Sequence, residues 1–248
     1  GFGVRQVRLD NDLVLGQPEH VPNGREGRGD QVSAVVGILS NGWFTAFASE
    51  EGYQERVYAR HCTNGAVHMR EQRQIFTRFF VPLGKGPSQL TGTYCQPGWE
   101  HHDQLYAASV HGSMALLASR ATRDNGQTQI RLDRWDALGN HQKAWGSGHG
   151  VGASSDPSVV PSPDGGFLVV WTELHDDGSA EEILAQQLNA EFAPVGRSFR
   201  VNTFSTGAQK HAAVLSMGEG VVVVWESWWQ DGAQGGIYAQ RLAFDHEG

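Results

Sequence analysis

Residues 210–242 read KHAAVLSMGEGVVVVWESWWQDGAQGGIYAQRL, and residues 156–188 read DPSVVPSPDGGFLVVWTELHDDGSAEEILAQQL. At a shift of 54 residues, 12 of the 33 positions in these two stretches are identical, whereas unrelated stretches of ordinary composition would share about two. Weaker copies occupy the first half of the chain, around residues 31–59 and 104–132. A period of this length is typical of proteins built by stacking one supersecondary unit.

Each repeat predicts four short strands, the first of them a short apolar run. In the last repeat, the Val-rich run that ends in Trp at 221–225 is typical of a strand buried on both faces. An Asp-Gly pair at 231–232 can supply the positive φ of a tight hairpin, and residues 237–242 alternate in polarity as a half-buried strand does. In the repeat before it, a Pro-Val-Gly turn at 194–196 leads into a fourth strand at 199–202.

Four strands in a unit of about 50 residues predict a β-propeller blade, because one such sheet buries both faces only by stacking on its neighbours. We therefore expect an all-β chain: a single propeller domain over 1–248 with four or five four-stranded blades. N-terminal strands are expected to join the last blade and close the ring. The expected parts are a partial unit at 1–30, units at 31–79, 104–150, 155–208 and 209–248, and an insert at 80–103. A β-sandwich and a stacked β-solenoid are the alternatives.

The composition excludes several classes of protein. The chain has 248 residues, a formal net charge of -8, 19% charged residues and three lysines. A nucleic-acid-binding surface or a polybasic membrane anchor needs clustered positive charge, so neither is expected. No apolar run approaches the length of about 18 residues that a membrane-spanning helix requires, so the sequence predicts no such segment.

The chain begins Gly-Phe-Gly-Val, without the apolar segment of a signal peptide. We interpret it as the mature form of an exported protein, extracellular, periplasmic or on the cell surface, whose signal peptide has been removed. A trimmed chain is the alternative. Cys62 and Cys95 are the two cysteines. In an exported domain two cysteines most simply form one disulfide, and two free buried thiols are the other interpretation.

The second half of the chain carries a recurring motif. Its parts are Gly-Gly-Phe-Leu-Val-Val-Trp at 165–171, Ile-Tyr-Ala-Gln-Arg at 237–241, Val-Gly at 195–196 and Phe-Arg-Val-Asn-Thr at 199–203. This motif resembles the tandem repeats of bacterial secreted and surface adhesin-like proteins, closely over 156–248 and loosely over 1–150. The resemblance implies an extracellular, propeller-like repeat domain, and it implies no catalytic residues.

The insert ends in a polar cluster formed by Trp99, Glu100, His101, His102 and Asp103. The loop that enters a first strand of a propeller lies near the axis, where ligands bind. Two imidazoles and two carboxylates have the chemistry of a divalent metal site, or of a general acid and base. Adjacent residues of an extended chain point to opposite faces, so His101 and His102 can meet one ion only across a bend. A solvated or partner-contacting loop is the alternative.

A second candidate site is the hairpin that contains Trp228, Trp229, Gln230 and Asp231. Indole rings can stack on sugar rings while amide and carboxylate groups hydrogen-bond hydroxyls, so these residues, with Trp99, are candidate glycan ligands. The alternative is that both indoles pack against a blade. In the preceding repeat the same hairpin holds acidic residues with the hard oxygen ligands that calcium takes: Asp176, Asp177 and Glu181.

These observations lead to two functional hypotheses. The leading one is a non-enzymatic, exported binding or structural propeller, acting as an accessory subunit of a protein assembly or as a glycan-binding module. Its partners would be other protein subunits or a cell-surface glycan, with no cofactor or with a divalent ion such as calcium. The alternative is a glycan-active or metal-dependent enzyme whose site lies at residues 99–103. Loops on two faces of a ring suit binding, but a fold alone does not decide function.

Overall fold

A computed structural model of the chain describes residues 5–6, 19–20, 31–39, 42–49, 74–81, 84–91, 99–111, 114–123, 127–136, 141–147, 153–174, 180–218, 220–232 and 234–244. Side-chain environments are described only within 114–244. The described residues form β-strands and turns and contain no helix, which confirms the all-β prediction. Accordingly, none of them belongs to a helix long and apolar enough to cross a membrane.

The strands are, in chain order, β1 (Arg5–Gln6), β2 (Glu19–His20), β3 (Gln31–Leu39), β4 (Gly42–Ser49), β5 (Gln74–Val81), β6 (Gly84–Thr91), β7 (Trp99–His111), β8 (Met114–Arg123), β9 (Thr128–Trp135), β10 (His141–Gly146), β11 (Ala153–Pro161), β12 (Phe167–Leu174), β13 (Glu182–Leu188), β14 (Pro194–Arg200), β15 (Gln209–Met217), β16 (Gly220–Ser227) and β17 (Gly236–Ala243). Every pairing between them is antiparallel.

The strands form four meander sheets, in which neighbours along the chain are neighbours in the sheet. They are β3-β4-β5-β6, β7-β8-β9-β10, β11-β12-β13-β14 and β15-β16-β17. The first strands of successive sheets contact one another, β3 with β7, β7 with β11, and β11 with β15, as in a propeller. Within the described residues the array is open, since β1 and β2 pair with each other and β17 pairs only with β16.

The first meander extends further than the sequence pattern indicates. Strand β6 lies within the expected insert and pairs with β5, with Thr91 opposite Ile75. Its sequence, GKGPSQLT, lacks the apolar alternation that identifies a strand. Residues 99–103 are also paired, as the beginning of β7. Both stretches become strands through pairing with neighbours, which a local pattern does not register.

The turn before β14 also differs from the expectation of a Pro-Val-Gly turn at 194–196. The Oδ1 atom of Asn189 accepts hydrogen bonds from the N–H groups of Glu191 and Ala193, at 3.0 and 2.9 Å. This local side-chain bonding forms the turn at 189–193, with Phe192 at a φ of 63°. The Pro-Val-Gly segment therefore begins the strand instead.

First strands carry a β-bulge near their beginning. The register slips at equivalent places in three sheets: Val32/Val35 in β3, Ser155/Ser158 in β11 and Lys210/Ala213 in β15. The second strand places an aromatic residue opposite each bulge: Phe47, Trp171 and Trp225. Strand β7 has three such irregularities. Because a bulge redirects side chains, the beginnings of these strands are places where a site can be built.

Two apolar clusters hold the third sheet between its neighbours. Phe167, Val169 and Trp171 are buried against the second sheet, whereas Leu168 and Val170 are buried against the fourth. Strand β12 is therefore buried on both faces, as its Val-rich sequence predicts.

The fourth sheet is apolar on both faces but covered on only one within the described residues. Val223 and Trp225 are buried against the third sheet. The outward face carries exposed apolar side chains, including Val224 and Ile237, the latter 78% exposed. Val224 is the repeat counterpart of Val170, which is fully buried, so the outward face has the composition of an internal interface.

Two glycines at equivalent repeat positions allow close approach between second and third strands. A Cβ atom on Gly166 would overlap the carbonyl oxygen of Leu188, and one on Gly220 would overlap that of Leu242, in both cases well inside 3.0 Å. Both positions need space for the backbone of the neighbouring strand, and this explains why both repeats have glycine there.

Candidate functional site

The first strands of the third and fourth sheets each contain a residue in the left-handed region. Asp156 in β11 has a φ of 49°, and His211 in β15 has a φ of 56°. Outside glycine this conformation costs on the order of 1–3 kcal/mol and is concentrated at functional sites. Both residues lie within the bulges. Since β11 contacts β15, the bulges bring a carboxylate and an imidazole together between two sheets.

His211 lies between two carboxylates. Its Nδ1 atom is 3.0 Å from Oε2 of Glu226 in β16, and its Nε2 atom is 4.0 Å from Oδ2 of Asp156. Ser155 donates a hydrogen bond of 3.0 Å from its hydroxyl to the same Asp156 oxygen. The imidazole is 60% exposed, and the side chains of Asp156 and Glu226 are 25% and 28% exposed, so a ligand in solution can reach the cluster.

Trp228 and Lys210 complete the surroundings of Glu226. The indole N–H of Trp228 donates a 2.6 Å hydrogen bond to Oε1, and Lys210 Nζ lies 5.3 Å from the centroid of the Trp228 ring. The hydrogen bond from His211 lowers the pKa of Glu226 most; partial burial opposes it, while the Trp228 hydrogen bond and the Lys210 charge reinforce it. The net pKa lies below the ordinary value of 4.5, so Glu226 is a carboxylate at neutral pH.

The structure gives the two tryptophans of the predicted glycan site different environments. Trp228 is half-buried, with its N–H directed at Glu226. Trp229 is 53% exposed and has a φ of 68°.

Gln230 and Asp231, the other two residues of this predicted site, have partners within the fourth sheet. The Oε1 atom of Gln230 accepts a 2.8 Å hydrogen bond from the Ser227 hydroxyl. Asp231 interacts with the hydroxyl of Tyr238; partial burial, together with this carboxylate, raises the pKa of the phenol. These contacts stabilise the hairpin that carries Trp229.

Residues 99–103 form the beginning of β7, ahead of the slip between Leu105 and Ala107 that corresponds to the Asp156 bulge of the third sheet. The β7–β8 pairing slips between Trp99 and His101 and again between His102 and Gln104. The polar residues predicted as metal ligands, Glu100, His101, His102 and Asp103, therefore share an irregular strand beginning, although their side chains lie outside the described residues. Within the residues whose side chains are described, no group of His, Cys, Asp and Glu is arranged to hold a metal ion.

Three other predictions lie wholly or partly outside the described residues. They are the possible disulfide between Cys62 and Cys95, the calcium ligands Asp176 and Asp177, and the side chain of Trp99. Glu181, the third calcium candidate, is described, and its carbonyl accepts a 2.9 Å hydrogen bond from the Gln209 N–H.

Glu173 is a buried acidic residue that was not among the residues predicted from the sequence. The Trp171 indole donates a 2.9 Å hydrogen bond to its Oε2 atom, and the Ser154 hydroxyl donates to the same oxygen. In the fourth sheet, the equivalent Trp225 donates instead to Oε1 of Gln209 at 3.0 Å. Since each sheet supplies an acceptor for the same indole, Glu173 has a structural role.

The cluster of Asp156, His211 and Glu226 was also not predicted from the sequence. These residues meet because two bulges redirect the chain and β11 packs against β15. The repeat carries no signal that singles them out. Positions 156, 211 and 226 differ from their counterparts in the other copy, but so do most positions of the repeat, since only 12 of 33 are identical.

No family model matches the chain, and neither does any curated protein. Solved structures do share its fold. The chain is similar to the endosialidase of phage phi92, with a TM-score of 0.53 and 11% identity, over 86% of this chain and 36% of that one. It is also similar to an α-L-arabinofuranosidase from Fusarium graminearum, with a TM-score of 0.51 and 11% identity, over 86% of this chain and 62% of that one.

A thermostable family-43 glycoside hydrolase matches more weakly, with a TM-score of 0.46 and 10% identity, over 89% of this chain and 74% of that one. The two structures with TM-scores above 0.5 support a propeller-type arrangement of sheets. The endosialidase and the arabinofuranosidase are glycan-active enzymes, which contradicts the leading expectation of a non-enzymatic binding or structural module and the inclination against an enzyme. They agree better with the alternative expectation of a glycan-active enzyme.

Proposed function

We propose that the chain is a glycan-active enzyme that cleaves glycosidic bonds. One observation carries the proposal: Asp156 and Glu226, from adjacent sheets, lie on either side of His211 where the first strands begin. A pair of carboxyl groups flanking a cleavable bond is the usual machinery of glycoside hydrolysis. The endosialidase and the arabinofuranosidase that share the fold act on glycans, which supports this class of substrate.

The two carboxyl groups can divide the roles of general base and second carboxyl group at a bound glycan. Both contact His211, at 3.0 Å for Glu226 and 4.0 Å for Asp156, so a ligand that reaches the imidazole lies near both of them. Glu226, kept ionised by its hydrogen bonds, suits the general base that activates an attacking water. Asp156 lies on the other side of His211 and is the second carboxyl group of the pair.

The activity is tested on the purified full chain with a panel of polysaccharides that includes arabinan, xylan and polysialic acid. The wild type should release reducing sugar from at least one of them, and E226Q and D156N should each reduce the rate at least 100-fold. E182Q is the matched control, because Glu182 forms a 2.8 Å ion pair with Arg200 in the outer strands. A wild type without activity on the whole panel, or E226Q and D156N as active as E182Q, would contradict the proposal.

We further propose that the protein is exported and that its ring closes through the N-terminal strands. The apolar outward face of the fourth sheet and the single pairing of β17 support closure, since β1 and β2 are strands available to complete this sheet. Deleting residues 1–30 should then lower the Tm by on the order of 5 °C and increase the binding of a hydrophobic dye. An unchanged Tm and unchanged dye binding would exclude this closure.

A further inference from the structure

Trp229 is an exposed aromatic residue held in a fixed position. Its φ of 68° is unusual for a bulky side chain, and the turn around it is tied down. The N–H of Trp228 donates to the carbonyl of Ala208 at 3.0 Å, and the N–H of Gly232 donates to the carbonyl of Trp229 at 3.4 Å. These two hydrogen bonds hold the turn that carries Trp229.

Gly207 supplies the space for this arrangement. It has a φ of 77°, and a Cβ atom there would overlap the carbonyl oxygen of Trp228 and come within 3.1 Å of Cδ1 of Trp229. The segment before β15 therefore packs closely beneath the two tryptophans. The Trp229 indole rests against this backbone and remains 53% exposed, which leaves ring surface available to a ligand.

Gly235 keeps the neighbouring carboxylate uncovered. A Cβ atom at this position would lie 3.5 Å from Oε1 of Glu226 and 3.8 Å from Cε2 of Trp228. Any larger side chain would occupy the space beside the carboxylate. The hairpin thus has an open position next to Glu226 and an exposed indole at its turn.

We propose that Trp229 is a carbohydrate-stacking subsite and that the opening at Gly235 admits the adjoining sugar to Glu226. This inference rests on the proposed glycosidase function and adds the position of one sugar ring. Trp228 orients the carboxylate, while Trp229 binds the ring of a neighbouring residue of the glycan chain. Stacking on an indole uses the apolar face that every sugar ring presents, so this subsite contributes affinity and the carboxylates contribute the reaction.

The test measures KM and kcat on the polysaccharide that the wild type cleaves, and Kd for all panel polysaccharides with the D156N variant as background. W229A should raise Kd and KM about tenfold and leave kcat within twofold, while W229F should recover most of the affinity. G235L should block the space and weaken binding, whereas G235A, with ordinary contact distances, should not. F199A is the control, because Phe199 is also an exposed aromatic residue, 42% exposed, on the outer strand β14.

The two proposals fail in different ways. Unchanged Kd and KM in W229A, or an equal loss in W229A and F199A, would overturn the subsite and leave the hydrolytic activity standing. Glycan binding that depends on Trp229 without any cleavage by the wild type would support the subsite and overturn the hydrolase function. If none of the polysaccharides binds, the subsite is wrong.

Discussion

Gly166 packs against the main-chain carbonyl of Leu188 so closely that a Cβ atom has no room, and Gly220 repeats this relationship with Leu242 one unit later. Neither glycine has a positive φ, so the constraint is the approach of the neighbouring strand. The position is set by packing between the second and third strands of each sheet.

Substituting either glycine should therefore destabilise the protein. We expect G166A and G220A each to cost about 3 kcal/mol of unfolding free energy, because the strands must separate to admit a methyl group. Gly218 provides the control, since its φ is 61° and nothing lies within 4 Å of a Cβ there. G218A should cost only about 1 kcal/mol, from backbone conformation alone. Chemical denaturation measures all three, and equal losses would refute the packing explanation.

The left-handed conformation of Asp156 and His211 predicts an unusual preference for glycine. D156A and D156G both remove the carboxylate, so their difference in stability reports the backbone alone. We expect D156G to be more stable than D156A by about 1 kcal/mol, and H211G to exceed H211A similarly. Thermal unfolding provides the comparison. Alanine variants at least as stable as the glycine variants would show that these residues do not hold a positive φ in solution.

Gln209 is fully buried and accepts the indole hydrogen bond of Trp225. Q209A should leave this N–H unsatisfied in the core and cost about 1–3 kcal/mol. Q209E retains an acceptor, as Glu173 does in the third sheet, and tests whether the acceptor rather than the amide is required. The exposed Gln234 supplies the control, and Q234A should leave the denaturation midpoint unchanged.

The lowered pKa of Glu226 gives stability a pH dependence with a definite sign. A carboxylate whose pKa is lower in the folded state stabilises that state above its ordinary value of 4.5, and this contribution disappears as the pH falls through the lowered pKa. The stability difference between wild type and E226Q should therefore shrink as the pH falls below about 4.5. In an H211A background the dependence should weaken, because the His211 hydrogen bond is its largest cause.

Denaturation of the four proteins between pH 3 and pH 7 tests this prediction. The single substitutions H211A and E226Q and the double variant separate the contribution of the pair from those of the other carboxylates. A difference between wild type and E226Q that grows on acidification has the opposite sign and would contradict the assignment.

Local sequence patterns predicted β12, β16 and β17, because the pattern of each strand is visible in its own residues. The Val-rich run of β12 and β16 and the alternation of β17 are visible without a partner. Strand β6 was not predicted because Gly and Pro carry no periodicity, and its formation depends on β5. The candidate site could be predicted only in part for the same reason. Two adjacent tryptophans in a hairpin can be recognised from the sequence, whereas Asp156 and His211 come together through two β-bulges, which the sequence does not show.

The outward face of the fourth sheet has a consequence for how such a chain evolves. The third and fourth sheets each have two unlike faces, and only one face of each carries the Trp of the second strand. The face of the fourth sheet that carries Trp225 packs against the face of the third sheet that carries Val170. Duplicating one 54-residue segment in the gene would therefore add a sheet whose interface already exists. Selection can then alter the bulge residues freely, since the face that joins the sheets and the strand beginnings that form the site are different parts of one unit.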